Sequence, residues 1–600
     1  MTVSAPAPGQ TGDAPLSTAS TAATPTKLDH VHSLQTDGGK LVQTSPNADI
    51  EDSVAALKNE EIVFIRRQKD GYLIYTLGEN EATGDDNDQP LFKLSTLFAA
   101  HLPDGLLREY LLEAGSIPTH LDPSKHVLLD VIVSTHSGVG KAKQFYDAVL
   151  KTLLGEFGSH PADDNNASRH GGYRLTLTES PQTVREFASR IVAHDGDASG
   201  QTTAGKETDR RTILLLSGDG GVVDLLNGLD KEERCAAEGT LSPPSSSLNT
   251  SRPPTLALIP LGTGNALFHS LHKPHYYYYS KKKAAQPSPL VLALRTLFLK
   301  GVSAPLPTFK ASFSPGSRLV SNSPEIITSS SSGEEDDQDK PKVDHLIGAI
   351  VLSHGFHAQL VWESDTPAYR KHGAQRFQMA AAELLKESHA YRADVEVISP
   401  TTTSSSPSPS PSNNNTPTKK QTLLPRKHFN YILTTLVSNL EKTFTISPAS
   451  EPLDGKLRLV HFGGVDGQRT MEIMMAAYKN PPEHIDMRWD PSRPAVVGNE
   501  NDDGDDDDDD GRVGYEEVEQ VKITLRDEDA RWRKVCVDGT IVQVERDGWV
   551  VVRKETTTTT TGKERVRVLV DRELVVPGTK LGAGGGGSGG IGEGDDGNDI

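Results

Sequence analysis

The 600-residue sequence predicts two lobes, an α/β lobe followed by a mainly β lobe, with long low-complexity insertions. Between about 126 and 275, apolar runs alternate with glycine-rich turns and amphipathic stretches, which is the pattern of a parallel sheet covered by helices. Beyond about 300, short strand-like runs dominate and predict a second, mainly β lobe. The length agrees with two lobes, because one compact core rarely exceeds about 250–300 residues.

The α/β lobe should contain four strands, each of which leads into a helix. The expected elements are, in order, strand Val127–Ser134 with helix Ala142–Phe157, strand Leu175–Leu177 with a helix from Val184 to Val192, strand Thr212–Leu216, and strand Leu256–Leu261 with helix Ala266–Leu271. In the β lobe, the expected strands are Ile347–Ser353, Leu457–Phe462, Val521–Leu525, Val535–Val537 and Trp549–Val552. Ahead of both lobes, the sequence predicts strands Ile62–Ile65 and Tyr72–Leu77 and a helix near Leu106–Ala114.

Composition divides the chain further. Low-complexity sequence predicts disordered tails at 1–50 and 581–600, and insertions near 235–253, 314–343, 400–420, 498–512 and after Glu555. Each insertion lies between periodic segments, so we interpret these insertions as expanded surface loops. The folded parts are then a small region of unknown role at 51–125, the α/β lobe at 126–275 and the mainly β lobe at 276–580.

Charge and cysteine content narrow the class of protein. The chain is 35% hydrophobic and carries 82 acidic against 62 basic residues, a formal net charge of −20. An acidic excess opposes general nucleic-acid binding, which needs a basic face. Only Cys235 and Cys536 are present. The sequence also lacks a secretion signal and any apolar run near the about 20 residues of a membrane span, so we expect a cytoplasmic protein.

Three glycine-rich turns follow predicted strands. They are Thr135–Lys141 (THSGVGK), Ser217–Gly221 (SGDGG) and Gly262–Asn265 (GTGN). The carboxyl ends of parallel strands meet at one sheet edge, where ligands bind. Glycine lets the backbone approach a phosphate, and helix N-termini offer free N–H groups. One such turn could be an ordinary surface turn, but three together favour a nucleotide phosphate site. The first is not a Walker A loop, because Thr135 stands where that motif needs glycine.

These residues resemble the diacylglycerol kinase catalytic domain superfamily, which includes sphingosine and ceramide kinases and is distantly similar to NAD kinases. The family segments N-P-x-S-G, G-G-D-G-T-x-x-E-x-x-N-G-L and P-x-G-T-x-N match Ser134–Gly138, Ser217–Leu229 and Pro260–Asn265 in the same order. Further on, Arg370 and Arg376 match two arginines that hold ATP phosphates in sphingosine kinases, and Asp538–Thr540 resembles a late D-G-E segment. The resemblance covers about 126–553.

The resemblance implies an N-terminal α/β nucleotide-binding lobe, a C-terminal β-sandwich-like lobe, ATP in the cleft between them and a lipid pocket in the second lobe. Asp219 would be the catalytic base that accepts the proton of the lipid hydroxyl. Phosphoryl transfer depends mainly on positioning and charge neutralisation, which arginines and Mg²⁺ supply. The residues expected to contact ATP are Ser137, Gly138, Thr178, Glu179, Ser217, Gly218, Gly220, Gly262, Thr263, Gly264, Asn265, Arg370, Arg376 and Asp538.

The chain also departs from the family pattern. Ser134 and Thr135 replace the N-P pair, Gly221 replaces the threonine or leucine after G-D-G, Asp224 replaces a glutamate, and Thr540 replaces the glutamate of D-G-E. His357 and Gln359 stand where related kinases carry headgroup aspartates. We expect an ATP-dependent lipid kinase, acting on a sphingoid long-chain base or, second, on diacylglycerol. The alternative is a weakly active or inactive nucleotide-binding regulatory protein of the same fold. An NAD kinase is a further alternative that no residue favours.

The expected partners are a lipid substrate and, peripherally, an intracellular membrane. The run Tyr276–Lys283 mixes aromatic and basic residues as a membrane-surface patch would, although we favour a loop insertion there. Acidic residues are concentrated in three insertions or tails, with 9 in 500–510, 5 in 334–339 and 4 in 593–599. The remaining chain is therefore close to neutral and does not oppose binding of ATP or an anionic membrane.

Overall fold

The computed structural model describes the backbone of residues 34–37 and 40–43, and residues 57–80, 90–113, 117–162, 172–197, 210–230, 252–321, 340–373, 375–400, 421–490, 511–555 and 564–575. These residues form a mixed α/β architecture with five sheets, which confirms the predicted class. Most residues of the predicted tails and insertions lie outside the described residues. Within the predicted disordered tail at 1–50, however, the backbone forms strands Leu34–Asp37 and Lys40–Gln43. The insertion expected at 314–343 begins differently, because Arg318–Val320 is a strand.

A seven-stranded sheet, called here the parallel sheet, carries the glycine-rich turns. Its strands lie in the order Gly301–Pro305, Arg567–Asp571, Thr255–Pro260, Arg210–Ser217, Val127–Val133, Gly172–Leu177 and His160–Pro161. All neighbours run parallel except the first pair. The four strands predicted for the α/β lobe are all present. Two strands from beyond 275 join them, so this sheet draws on both sides of the predicted boundary.

Helices cover the parallel sheet because their apolar faces pack on its strands. The first helix is continuous and consists of Ala142–Phe145, the π-helical turn Tyr146–Leu150 and Lys151–Gly155. The other helices are Thr183–Asp197, Asp219–Gly228, Ala266–Leu271, Lys273–Lys282 and Pro289–Arg295. The last of these continues as a π-helical segment, Thr296–Lys300. The loop predicted at Tyr276–Lys283 is wrong, because Lys273–Lys282 is a helix. Tyr276 and Tyr279, three residues apart, are half-buried and contact His269 and Arg295. Among the described residues, no helix has the length and apolar character to span a membrane.

Two further seven-stranded sheets are antiparallel. Sheet II has the order His345–Gly348, Phe309–Phe313, Trp549–Lys554, Gln520–Leu525, Tyr391–Ile398, with Gln421–Leu423 and His428–Phe429 both paired to the last. Sheet III has the order Arg318–Val320, Thr540–Gln543, Lys534–Val537, Val351–Gly355, Tyr431–Thr435, Leu457–Phe462, Gly514–Val518. One hydrophobic cluster contains buried side chains of both sheets, such as Phe309 and Val535, so the sheets share a core.

One predicted strand is wrong in an informative way. The run Ile347–Ser353 was expected to be a single strand, but it is divided between His345–Gly348 of sheet II and Val351–Gly355 of sheet III. The chain turns between these strands, where the N–H groups of Ala349 and Ile350 donate to the carboxylate of Asp538. Helices Phe356–Ser364, Pro367–Arg370, Gln375–Glu387 and Gly467–Ala476 lie beside these sheets, and 3₁₀ turns occur at Asn59–Glu61, Pro123–Lys125, His484–Asp486, Ala530–Trp532 and Arg572–Leu574.

The N-terminal region forms a four-stranded sheet, ordered Phe92–Ala99, Gly71–Glu79, Ile62–Gln68 and Leu111–Leu112, with helix Asp104–Tyr110 beside it. Strands Leu34–Asp37, Lys40–Gln43 and Leu57–Lys58 make a small sheet ahead of it. The predicted helix ends earlier than expected, at Tyr110. The Phe64 ring lies 5.6 Å from the Phe298 ring, and buried Arg295 donates hydrogen bonds of 2.8 Å to the carbonyls of Ile62 and Asn59. This region therefore packs directly on the helix beside the parallel sheet.

Candidate active site

The three glycine-rich turns meet at the carboxyl edge of the parallel sheet. The Ser137 Oγ accepts a 2.9 Å hydrogen bond from the Gly218 N–H, which joins the first turn to the second. The second and third turns touch through glycine backbones, since a Cβ atom on Gly262 would lie 2.3 Å from the Gly218 Cα. Gly138 has φ +57°, and a Cβ there would lie 2.6 Å from the Leu261 carbonyl oxygen. Side chains at these positions would force the turns apart.

Thr178 holds the first turn in place. Its buried Oγ1 accepts from the Thr135 N–H at 3.0 Å, and its carbonyl accepts from the Thr135 hydroxyl at 2.8 Å. Thr135 stands where the family pattern has proline, and its hydroxyl and N–H provide this link instead. Glu179 is exposed, and its N–H donates to the Thr183 hydroxyl at 3.2 Å. Thr178 thus supports the turn, while Glu179 is free to face a ligand at the sheet edge.

Asn265 closes the third turn. It adopts the left-handed conformation, with φ 53°, and its side chain accepts from the Gly262 N–H at 3.0 Å and donates to the Gly262 carbonyl at 2.9 Å. Thr263 is exposed at the tip of the turn. A Cβ atom on Gly264 would lie 3.3 Å from the Leu440 carbonyl oxygen, so a loop following a strand of sheet III reaches this turn. The candidate site therefore lies where that loop meets the parallel sheet.

Asp219 is the first residue of helix Asp219–Gly228 and is partly buried. Its carboxylate accepts from the N–H groups of Ala266 and Leu267, at 2.7 and 3.2 Å. Burial raises the pKa of Asp219, and the two hydrogen bonds oppose that rise. A carboxylate with a raised pKa is a stronger general base than an ordinary surface aspartate. The second turn thus presents a base beside the third turn.

Asp538 is buried, and its oxygens are occupied. The carboxylate accepts from three consecutive backbone N–H groups, those of Ala349, Ile350 and Val351, at 2.7, 3.1 and 2.6 Å. Burial raises the pKa of Asp538 to about 7, and the negative charge of Asp219 adds to that effect. The sequence predicted a nucleotide contact for this residue; in the structure its carboxylate binds the turn between sheets II and III.

Arg370 and Arg376 converge on one carboxylate, that of Asp365. Arg370 binds it through two contacts, of 3.0 Å from Nε and 2.7 Å from Nη2, and Arg376 adds a 3.3 Å contact from Nη1. Two guanidinium groups that share one carboxylate form an arrangement suited to an anion such as a phosphate group. The family resemblance implied that both arginines bind one anion, the ATP phosphates. No feature of the sequence indicated that both would contact Asp365.

The positions that bind headgroups in related kinases lie on helix Phe356–Ser364. Burial lowers the pKa of His357 to about 4, and its Nδ1 lies 2.7 Å from the Ser353 hydroxyl. Gln359 is buried and donates to Glu363 at 2.8 Å, while within the described residues its Oε1 has no hydrogen-bond partner. The Tyr431 ring, 6.3 Å from the His357 ring, also has a hydroxyl without a partner among those residues. Tyr431 lies in an apolar strand, and no pattern in the sequence distinguishes it.

A small apolar cavity is lined in part by Leu267, whose N–H binds the Asp219 carboxylate. It is lined mainly by Leu267, Leu271, Leu306, Pro307, Ala349 and Leu453. Its free space holds little more than one water molecule, because a water molecule needs about 10–15 Å³ of cavity volume.

In the part of the chain that the structure describes, no group of three or more histidine, cysteine, aspartate or glutamate side chains could hold a metal ion.

A parallel sheet with glycine-rich turns and a carboxylate at its carboxyl edge is the arrangement typical of phosphate-binding α/β proteins. Residues 129–286 match the family model of the diacylglycerol kinase catalytic domain. Among solved structures, a diacylglycerol kinase from Bacillus anthracis str. Sterne is 11% identical and aligns with a TM-score of 0.36, covering 74% of this chain and 98% of its own. Yeast NADH kinase, solved with NADH, is 9% identical with a TM-score of 0.26, covering 76% and 90%. No curated protein matches the sequence.

Proposed function

We propose that the chain is an ATP-dependent lipid kinase that transfers the γ-phosphoryl group of ATP to a lipid hydroxyl. The proposal depends chiefly on the place of Asp219, at the junction of the second and third glycine-rich turns of a diacylglycerol kinase catalytic domain. The turns would bind the phosphates through backbone N–H groups. The lipid oxygen would attack the γ-phosphorus, the bond to the bridging oxygen would break, ADP would leave, and Asp219 would take the hydroxyl proton.

Mg²⁺ belongs to this proposal as a companion of ATP. Kinases commonly hold Mg²⁺ by one or two carboxylates together with phosphate oxygens, so a site made by protein alone is not required. Asp219 is the carboxylate placed at the turns, and it keeps lone pairs beyond its two hydrogen bonds. When bound, the ion would neutralise charge on the phosphates.

Arg370 and Arg376 are the proposed cationic contacts to the phosphates. They would exchange the Asp365 carboxylate for phosphate oxygens, which bear more charge and suit guanidinium groups equally well. Asp365 is only partly buried, so the exchange does not require opening of a core. The pair would then stabilise charge that develops during transfer.

The proposed acceptor is a sphingoid long-chain base, with diacylglycerol second. Leu267, whose N–H binds the Asp219 carboxylate, also lines the small apolar cavity, so the reactive end of the lipid would enter there. An acyl chain would need helix Ala266–Leu271 and the facing residues Pro452 and Leu453 to separate. Peripheral contact with an intracellular membrane is also proposed: Tyr277, 63% exposed, and the exposed lysines 281–283 lie on and just after the helix that follows.

A nucleotide-binding regulatory protein is the second candidate. It is favoured by the small size of the cavity and by the carboxylate and arginine contacts already present among the expected ATP-contacting residues, because Asp538 binds backbone N–H groups and the arginine pair binds Asp365. Such a protein would bind ATP through the three turns without passing the phosphoryl group to a lipid.

The test is a labelled-ATP assay of the full chain with sphingosine, phytosphingosine, ceramide, diacylglycerol and NAD, beside Asp219→Asn. A matched control is Asp224→Asn, because Asp224 lies on the same helix and burial raises its pKa to about 6. We expect a phosphorylated lipid from the wild type and the control, and at least about a hundredfold less from Asp219→Asn. ATP binding without product above the Asp219→Asn level would favour the regulatory protein.

A further inference from the structure

Asn227 links the helix that begins at Asp219 to sheet II. Its side chain is buried in the last turn of that helix, yet it accepts from the Ile347 N–H at 2.9 Å and donates to the Ile347 carbonyl at 3.0 Å. It also donates to the Val223 carbonyl at 2.9 Å. Strand His345–Gly348 is the outermost strand of its sheet, so the amide of Asn227 pairs with its open edge as a neighbouring strand would.

Asp230 makes a second link to the same strand. It is buried just beyond the helix, where one oxygen lies 2.7 Å from His345 Nε2 and the other accepts from Arg565 at 3.0 Å. Arg565 also binds Glu555 through two contacts of 2.8 Å. The far end of the Asp219 helix is therefore held at two positions of one strand.

The chain directly after that strand binds Asp538. Residues 345 and 347 contact the Asp219 helix, and the next residues, Ala349 to Val351, donate to the Asp538 carboxylate. One seven-residue segment thus connects the helix that carries the proposed base with the second buried carboxylate. A helix is stiff over its length, and Asp219 lies about 12 Å from Asn227 along the axis. Movement at Asn227 would therefore move Asp219.

We propose that Asn227 is a positioning residue that sets the place of the Asp219 carboxylate relative to the turn that Asp538 holds. The inference rests on the proposed kinase function, in which Asp219 takes the proton of the acceptor. Loss of the link should reduce turnover, since a base displaced by about 1 Å can cost about a hundredfold. Nucleotide binding by the glycine-rich turns should change little, because Asn227 contacts none of them.

The chain offers a matched control in Asn430. This asparagine is equally buried and makes the same pairing, accepting from the Val465 N–H at 3.2 Å and donating to the Val465 carbonyl at 3.0 Å. It lies between strands of sheets II and III and contacts neither the Asp219 helix nor residues 345–351 in these pairings. Asn227→Ala and Asn430→Ala each remove a buried pair of hydrogen bonds to one residue, and Asn227→Ala also removes the bond to the Val223 carbonyl. The melting temperatures of the two variants therefore serve to separate general destabilisation from displacement of the Asp219 helix.

The experiment measures kcat, the KM for ATP and the melting temperature of both full-length variants, and hydrogen–deuterium exchange of residues 219–228. We expect kcat of Asn227→Ala to fall at least about tenfold with the KM within about threefold, and kcat of Asn430→Ala to stay within about threefold. Exchange in 219–228 should rise in Asn227→Ala alone. The milder Asp230→Asn keeps the proposal testable if Asn227→Ala fails to fold, with kcat expected to fall about threefold or more.

The proposal is overturned if Asn227→Ala keeps the kcat of the wild type, or if the kcat of Asn430→Ala falls as far as that of Asn227→Ala. If Asn227→Ala does not fold, an unchanged kcat in Asp230→Asn overturns the proposal. Failure of the kinase function itself is a separate result, seen as absence of product from the wild type with every acceptor. In that case exchange decides: faster exchange of 219–228 in Asn227→Ala than in Asn430→Ala supports positioning of the Asp219 helix, and equal exchange overturns it.

Discussion

The hydroxyl group of Ser217 fills the space that a side chain at Gly221 would need, since a Cβ atom on Gly221 would lie 2.6 Å from Ser217 Oγ. The family pattern that the sequence resembles has threonine or leucine where Gly221 stands. Ser217 and Gly221 are therefore coupled, and exchanging the two residue types would move the side chain from the strand to the helix.

The exchange predicts a compensating double mutant. Gly221→Thr should destabilise the chain by about 1–3 kcal/mol through overpacking against Ser217. Adding Ser217→Gly should restore most of that loss. Gly220→Thr is the control, because a Cβ at Gly220 meets nothing within 4 Å. The measurement is the free energy of unfolding in denaturant. A Gly221→Thr variant as stable as Gly220→Thr would contradict the proposed coupling.

Asp365 should compete with ATP for the arginine pair. Asp365→Asn removes the charge but keeps the shape, so the KM for ATP is expected to fall about two- to fivefold, the worth of an exposed ion pair of about 0.5–1 kcal/mol. Glu387→Gln is the matched control, because Glu387 binds Arg531 through contacts of 2.8 and 3.0 Å at similar exposure. A higher KM in Asp365→Asn would mean that Asp365 orders the arginines instead of competing.

The buried Asp538 should make stability depend on pH. Its pKa of about 7 in the folded chain lies well above the value of about 3.9 in an unfolded chain. The folded chain holds this proton more tightly, so the stability that it contributes is full below about pH 4 and is lost as pH rises through about 7. We expect the melting temperature to fall between pH 5 and 8, and to fall less in Asp538→Asn. A wild type that gains stability over this range, with the gain absent in the variant, would reverse the assigned direction.

Arg295 should be essential to the docking of the N-terminal sheet. Arg295→Met leaves the carbonyls of Asn59 and Ile62 without their donor and removes the guanidinium stacked 4.8 Å from the Tyr110 ring, at an expected cost of about 2–4 kcal/mol. Arg66→Met is the control, since the Arg66–Glu156 pair is 30% and 37% exposed and should contribute less than about 1 kcal/mol. Unfolding in denaturant measures both. Equal losses of unfolding free energy in the two variants would show that the buried contacts of Arg295 stabilise the chain no more than the exposed Arg66–Glu156 pair does.

The sequence predicted what depends on local chemistry. Strand periodicity and glycine placed Ser137, Gly218 and Gly262 at one sheet edge, and the structure brings those turns together. What it could not predict depends on partners far along the chain. The strand expected at Ile347–Ser353 is broken by the carboxylate of Asp538, 188 residues from Ile350.

Two other features, the contacts of Asp365 with the arginine pair and the pairing of Asn227 with Ile347, depend on side-chain partners that no sequence pattern indicates. Asp365 is an ordinary loop residue in the sequence, and only folding shows that it binds both arginines. Asn227 belongs to a family motif, but its pairing with Ile347, 120 residues away, is visible only when the helix and strand are in place. Short-range periodicity determines elements, and the contacts that join distant elements depend on the complete fold.

The strand Arg567–Asp571 also has a consequence for synthesis. It lies between Thr255–Pro260 and Gly301–Pro305, although it is made long after both. At about 5–20 residues per second, tens of seconds pass on the ribosome before this strand exists. During that time one edge of the apolar strand Thr255–Pro260 is unpaired, and an unpaired edge can form hydrogen bonds with another extended segment or bind a chaperone. Truncation before Asp571 should therefore yield a protein whose sheet lacks the strand that pairs with both Thr255–Pro260 and Gly301–Pro305.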